Sequence, residues 1–436
     1  MNPNNYALLS DDKKLTYNEL HEKVQFVSSQ LRSTIQKGDI VGINANHSPS
    51  FVINTLAVWN LAGIVFPINP NLPDEEREQQ ISFINCKNIA EVVTTRENQI
   101  RDEIYTVDNS ALILFTSGST NNPKAVMHTF RSLYSSAESI DSKILFESNE
   151  LWLASLPFFR IGGFQMILRS LLSGGTLCIP NSVRSENLIE SIKFYKPQYM
   201  SFVNATLKRF IESDIDFQDS IKAVFAGGGP IESDFLIRAY DKKLPVYKVY
   251  GSTETGSMIS MFEPTDRFEK LNSAGKPLPN VKVKIHDGEV LVKSPSLFSG
   301  YYKNHYLNND RLKDKWFNTG DIGFIDKDGF LFIEGRIDNF IISGGEKIDP
   351  REIETELLKF DLINEAVVFG VDDKKWGEKV CAVITSSEEI QIEKIIEDLK
   401  ARLTAYKIPK AIKQIDQIPV DEMGKINLSG IKKLFQ

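Results

Sequence analysis

Hydrophobic positions in the first 260 residues alternate between a helical period and a period of two, which predicts helices and strands in succession. Over Tyr17–Leu31 the apolar residues Leu20, Val24, Val27 and Leu31 share one helical face, and residues 39–44 then read as a strand. The most apolar window, residues 51–70, is interrupted by Asn54, Asn60 and Asn69 and closes on Pro67 and Pro70. It predicts a buried helix followed by a strand, and it fails as a membrane span. Alternation of this kind argues for α/β layers.

After about Ser273 the pattern shortens to alternating runs at residues 281–285, 289–293 and 330–334, separated by Gly, Asp, Asn and Pro, which predicts a small β subdomain. The last hundred residues read as a separate α+β unit. One helix starts at Asp349 and Pro350 with Glu352 in its first turn, and a second, over residues 392–403, carries Ile392, Ile395, Ile396, Leu399 and Leu403 on one face. Strands are expected at residues 365–369, 380–385 and 411–415, and the boundary near residues 335–338. The expected architecture is an α/β chain with an N-terminal domain of layered α/β subdomains over residues 1–337 and an α+β C-terminal domain over residues 338–436.

Composition narrows the function. At 436 residues and 42% hydrophobic content the chain can bury more than one core. The net charge of -7 is spread without a basic stripe, which argues against a nucleic-acid partner. Cys86, Cys178 and Cys381 lie far apart, so neither a disulfide framework nor a zinc knuckle is indicated and a reducing cytoplasm is expected. Residues 1–14 are polar and lack the basic start and apolar stretch of a secretory signal. A homo-oligomer is compatible with the sequence, which does not specify one.

Candidate chemistry begins where the apolar run at residues 112–115 passes into Thr116, Ser117, Gly118, Ser119, Thr120, Asn121, Asn122, Pro123 and Lys124. Backbone N–H groups near Gly118, four hydroxyls and the Lys124 ammonium can together receive phosphate oxygens. On composition alone the same stretch is equally a solvated polar turn. It lacks the Gly-Lys-Ser/Thr of the common phosphate loop.

Companion motifs decide between these readings. The chain also contains Gly227-Gly228-Gly229-Pro230, Tyr250-Gly251-Ser252-Thr253-Glu254-Thr255, Thr319-Gly320-Asp321, Gly335-Arg336-Ile337-Asp338 and, near its end, Gly424-Lys425. In this order the motifs resemble the superfamily of adenylate-forming enzymes that includes acyl-CoA synthetases, firefly luciferase and peptide-synthetase adenylation domains. The resemblance covers almost the whole chain and implies ATP, Mg2+ and CoA as ligands, with a mobile C-terminal domain.

It further implies roles for individual residues. Residues 116–124 would hold the triphosphate, Gly227 to Gly229 would pass beside adenine with Tyr250 packed on the base, and Thr253 would donate to the α-phosphate. Glu254 would hold Mg2+ as a hard oxygen ligand. Asp321 would accept the ribose hydroxyls, Arg336 would contact the nucleotide and Asp338 would be the hinge. Lys425 would be the catalytic cation that stabilises charge as a carboxylate attacks the α-phosphate. After a domain rotation, the segment with Gly344 and Gly345 would enter the site and leave room for the pantetheine arm of CoA.

The acid pocket is expected at residues 156–164, with Phe159, Arg160 and Gly163. Arg160 stands where the superfamily carries histidine, and Asn121 stands where it usually has Gly. Peptide-synthetase domains anchor an α-amino group on an aspartate of a Phe-Asp pair, and here no Asp occurs between Asp141 and Asp214, so an amino-acid substrate is disfavoured. The compact length, residues 125–129, residues 152–157 and the Gly227 turn resemble the o-succinylbenzoate–CoA ligases of menaquinone synthesis. That substrate has a second carboxylate, for which Arg160 or Arg169 could supply a cation. Other expectations are a different aryl- or fatty-acid–CoA ligase, an adenylation enzyme that loads a carrier protein, and a silent nucleotide-binding homologue.

Overall fold

The computed structural model describes residues 2–88, 106–116, 124–213, 220–265, 268–420 and 426–435. The chain divides into two compact units. The first comprises Met1–His286, Leu291–Thr319 and Ile325–Phe332, and the second comprises Asp287–Val290, Gly320–Phe324 and Ile333–Gln436. Two short excursions of the chain thus join the C-terminal unit before its main body begins. The strands Lys282–His286, Glu289–Lys293 and Leu331–Arg336 form where alternation predicts them. The longer strand Trp316–Ile325 was not marked by the sequence pattern.

In the first unit a nine-stranded sheet runs, edge to edge, through Lys276–Pro277, Ser257–Phe262, Val246–Ser252, Ala223–Ala226, Tyr199–Phe202, Leu151–Leu153, Thr176–Ile179, Tyr6–Ser10 and Lys14–Thr16. The four central strands, from Ala223–Ala226 through Thr176–Ile179, are parallel and largely buried on both faces, so successive residues feed two cores, whereas Ser257–Phe262 pairs antiparallel with Val246–Ser252. Trp152, Tyr199 and Phe225 join the cluster containing helices Tyr17–Leu31, Pro49–Asn60, Phe130–Ile144 and Ile161–Leu172. Leu153, Met200 and Val224 join the cluster with Ser185–Tyr195, Asn204–Glu212 and Ser233–Asp241. A six-stranded sheet orders Gly300–Tyr301, Lys124–Thr129, Ser110–Thr116, Ile64–Ile68, Ile40–Asn44 and Lys87–Asn88.

The helix Tyr17–Leu31 has the bounds its periodicity predicts, because Thr16 and Glu19 close a reciprocal capping box at its start. The apolar window resolves into helix Pro49–Asn60 and strand Ile64–Ile68. Among the described residues no helix is long and apolar enough to cross a membrane.

In the second unit strands Glu365–Asp373 and Gly377–Thr385 form an antiparallel pair, joined by the parallel strand Ala411–Gln414. Helices Pro350–Leu357 and Ile392–Arg402 cover it through Ile353, Leu357, Ile395 and Leu399. Asp349 caps the first by accepting from the Arg351 backbone N–H at 3.0 Å. Gly344 and Gly345 form the two-residue connection between Ile341–Ser343 and Glu346–Ile348, with φ of 61° and 86°. Positive φ at both positions is what a tight hairpin of this kind requires of its residues.

Candidate active site

Three segments of the first unit meet around Glu254. Strand Lys124–Thr129 pairs antiparallel with Ser110–Thr116, which sets Thr116 opposite Lys124. The loop residues Ser117, Gly118, Ser119 and Thr120 lie outside the described residues, as does Asn121. The other edge of Lys124–Thr129 receives Gly300–Tyr301, with the Ser299 and Tyr302 N–H groups donating to the Met127 and Ala125 carbonyls at 2.8 Å each. The Tyr301 hydroxyl thereby reaches Glu254 and donates to its Oε1 at 3.0 Å. The Lys124 ammonium lies 5.9 Å from the centroid of the same ring.

The turn that carries Glu254 is fixed from several sides. His128 is fully buried, with Nε2 2.8 Å from the Thr253 carbonyl and Nδ1 3.0 Å from Ser132 Oγ. A carbonyl only accepts, so Nε2 carries the proton. Burial pushes the His128 pKa down to about 4, and the ring is neutral at physiological pH. Thr255 accepts the Ser252 N–H at 2.8 Å, and Ser136 donates to the Gly256 carbonyl at 2.6 Å. Ser252 Oγ is buried and has no protein partner among the described residues.

The glycine run lies beside this turn. Strand Ala223–Ala226 pairs parallel with Val246–Ser252, and a Cβ at Gly227 would come within 2.8 Å of the Val249 carbonyl oxygen. Gly228 adopts φ of 88°, whereas a Cβ at Gly229 would meet nothing within 4 Å. At Gly251 a Cβ would approach the Ser257 carbonyl oxygen to 1.8 Å. Gly227, just past the end of Ala223–Ala226, thus packs against Val249, next to Tyr250 and Gly251 and a few residues before Thr253 and Glu254 in the chain.

The residues expected to border the acid occupy the turn into helix Ile161–Leu172, with Arg160 as its N-cap and its Nε buried without a partner among the described residues. The Arg160 guanidinium carbon lies 5.6 Å from the Phe159 ring centroid. A Cβ at Gly163 would come within 2.2 Å of the Pro157 carbonyl oxygen, so only glycine allows this tight entry. His47 braces the turn by stacking on Phe158 at 4.2 Å, with Nε2 3.2 Å from the Leu156 carbonyl oxygen.

In the second unit Arg336 joins two other candidates. Its Nη1 lies 3.1 Å from Asp321 and its Nη2 3.3 Å from Asp338. These are partly solvated pairs, each worth about 1 kcal/mol or less. Lys425 lies outside the described residues, between flanks in which Val420 and Ile426 form an antiparallel bridge.

The donors fit the ligands implied by the sequence. Mg2+ prefers one or two carboxylates plus phosphate oxygens over an all-protein cage, and Glu254 supplies one oriented carboxylate. Among the described residues there is no cluster of three or more His, Cys, Asp or Glu side chains that would compete with that arrangement. Lys124 and the unpaired Ser252 hydroxyl suit phosphate or sugar oxygens.

Comparison with known proteins agrees. Residues 1–104 and 87–302 match the family described as AMP-binding enzyme. The chain belongs to that family. Residues 352–425 match the C-terminal domain of AMP-binding enzymes. A 2-succinylbenzoate–CoA ligase from Bacillus licheniformis is 33% identical over 459 residues, covering 98% of this chain and 96% of the relative. The solved o-succinylbenzoate CoA synthetase of Bacillus subtilis in complex with its acyl-adenylate intermediate superposes with a TM-score of 0.88 at 29% identity, covering 99% of this chain and 96% of the other. The same Bacillus subtilis enzyme with ATP and magnesium gives 0.87 at 29% identity, over 98% and 96%.

Within this AMP-binding enzyme, motif reading missed Tyr301 and the contact between His128 and Thr253. The partners are 47 and 125 residues apart, and neither spacing has a local signature.

Proposed function

We propose that the chain is an ATP-dependent acid–CoA ligase that converts o-succinylbenzoate to o-succinylbenzoyl-CoA in the cytoplasm. The observation that carries this reading is similarity over nearly the full length to 2-succinylbenzoate–CoA ligases, including a solved acyl-adenylate complex. In the first step a carboxylate oxygen attacks the α-phosphorus of ATP and pyrophosphate leaves. In the second the CoA thiol attacks the acyl carbon, gives up its proton and expels AMP.

In this proposal residues 1–337 bind ATP and the acid, and residues 338–436 form a lid that turns about Asp338. Thr116, Ser117, Gly118, Ser119, Thr120 and Lys124 receive the triphosphate. Thr253 donates to the α-phosphate and Glu254 holds Mg2+, which supplies charge neutralisation when bound. Gly227, Gly228, Gly229, Tyr250, Gly251 and Ser252 shape the adenosine side, while Asp321 and Arg336 take the ribose and phosphate. Phe159, Arg160 and Gly163 border the acid, and Gly344 and Gly345 admit the thiol arm.

The Tyr301 hydrogen bond makes the Glu254 carboxylate a pre-aimed ligand. A hydrogen bond to a charged group contributes about 1.5–3 kcal/mol. Tyr301→Phe is therefore expected to raise the Mg2+ concentration for half-maximal pyrophosphate release by roughly 10- to 100-fold. Mn2+ affinity of the enzyme–ATP-analogue complex, read by electron paramagnetic resonance, should weaken in parallel.

An acid panel that includes o-succinylbenzoate, assayed for pyrophosphate release with and without CoA, tests the function. Release and thioester on that acid alone are expected. Adenylate without CoA transfer would favour a carrier-loading enzyme, another preferred acid would replace the substrate, and no release with any acid would favour a silent homologue.

A further inference from the structure

Strand Lys124–Thr129 carries Lys124, Val126 and His128 on one face, because side chains alternate along an extended strand. That face is turned toward residues 298–317, since Val126 is buried in one cluster with Phe298, Tyr301 and Phe317. Lys124 reaches the Tyr301 ring, whose hydroxyl donates to Glu254, and His128 reaches the Thr253 carbonyl. Two consecutive residues of one turn are thereby tied to the strand that carries Lys124.

The turn is also held through its backbone. The Thr253 carbonyl accepts the Gly256 N–H at 3.1 Å as well as the His128 Nε2–H at 2.8 Å, and the Glu254 carbonyl accepts the Phe298 N–H at 2.8 Å. Helix Phe130–Ile144 starts just after His128 and holds the other side of the ring. Its N-cap Thr129 and Ser132 form a reciprocal capping box, and Ser132 Oγ, which accepts the Thr129 N–H at 3.1 Å, lies 3.0 Å from His128 Nδ1. With the proton on Nε2, Nδ1 only accepts, and the Ser132 hydroxyl is in place to donate to it.

The ring has no exposed surface, so both nitrogens are matched inside the protein and together they fix its plane. Thr253 and Glu254 are only partly buried. The inward anchor at the Thr253 carbonyl therefore decides how deep the turn sits. Misplacing reacting groups by about 1 Å can cost about 10²-fold in rate, so this depth matters alongside the identity of the side chains it carries.

We propose that His128 is a positioning residue for adenylate formation. Its Nε2–H sets the Thr253 carbonyl, and with it the Thr253 hydroxyl and the Glu254 carboxylate, at a fixed distance from the strand that carries Lys124. The inference rests on the proposed reading of Thr253, Glu254 and Lys124 as contacts to ATP and Mg2+. His128 acts on the chemistry through Thr253, and what the site requires of it is an N–H at the reach of Nε2. The amide nitrogen of glutamine stands the same number of bonds from Cβ as that Nε2, whereas the amide nitrogen of asparagine is one bond shorter, at the depth of Nδ1.

His128→Gln, His128→Asn, His128→Leu and the parent enzyme test this by steady-state pyrophosphate release, with the folded fraction of each taken from thermal unfolding and activity read well below its melting temperature. His128→Leu and His128→Asn should lower kcat per folded molecule about 10- to 100-fold, while KM for the acid stays within about threefold of the parent. His128→Gln should keep kcat within about threefold. An unchanged kcat per folded molecule in His128→Leu would overturn the proposal, as would a His128→Gln that loses as much as His128→Leu or a His128→Asn that performs as well as His128→Gln. If one of the Leu and Asn variants does not fold, the other carries the contrast with His128→Gln. Failure of both to fold, or of His128→Gln alone, would also overturn the proposal, because the ring would then serve the fold. If the parent releases no pyrophosphate from ATP with any acid, the reading of the turn as an ATP site fails, and that result is independent of the variants.

Discussion

Lys425→Ala is expected to lower the rate of adenylate formation by at least about 10²- to 10³-fold, the loss typical of removing one preorganised donor from a transition state. The chemistry sets two anions against each other, a carboxylate and the α-phosphate. In the proposed mechanism Lys124 and an Mg2+ ion at Glu254 would offset charge on the triphosphate in the ground state as well as the transition state. A cation that engages only as the bond forms acts selectively on the barrier. Lys425 is carried by the C-terminal unit, and the proposed hinge at Asp338 lets that unit serve one half-reaction and then leave. The variant should therefore retain thioester formation from supplied acyl-adenylate and CoA at close to the parent rate. Single-turnover measurements of the two half-reactions check this, and equal losses in both would remove Lys425 from its assigned role.

How legible the molecule was in its sequence depended on the range of the interactions. Helix Tyr17–Leu31, strand Ser110–Thr116 and helix Ile392–Arg402 were legible because periodicity and capping are local. The Gly344–Gly345 turn was visible as composition, but its positive φ values and hairpin pairing required the strands on either side. Long-range contacts were opaque. Tyr301 in Gly-Tyr-Tyr gives no hint that its hydroxyl will meet Glu254, and no pattern marks residues 287–290 or 320–324 as part of the second compact unit.

The acid pocket shows the same division. The sequence marked Arg160 as a departure from the superfamily and named Arg169 as an alternative cation. Burial distinguishes them, since Arg160 caps a helix beside Phe159 whereas Arg169 is enclosed without a protein anion among the described residues. Charge type was legible at both positions, but the desolvation that makes one costly is a property of packing.

Gly251→Ala is expected to destabilise the first unit by roughly 3 kcal/mol, toward the upper end of overpacking effects, and to raise KM for ATP. Strands Val246–Ser252 and Ser257–Phe262 change register between Tyr250 and Gly251, and this irregularity presses Gly251 against the returning chain. The added Cβ would lie 1.8 Å from the Ser257 carbonyl oxygen and 2.9 Å from the Met258 Cα. Both are backbone atoms, so no side-chain rotation relieves the contact, and relief must displace the turn through Ser252, Thr253 and Glu254. Denaturant unfolding measures the first effect and ATP-dependent pyrophosphate release the second. Gly229→Ala provides the contrast, since its Cβ would meet nothing within 4 Å and its stability should stay within about 0.5 kcal/mol of the parent. If Gly229→Ala is stable but needs more ATP, close approach of the nucleotide is the reason for glycine there. If Gly251→Ala unfolds like the parent, the strand irregularity is softer than its backbone contacts require.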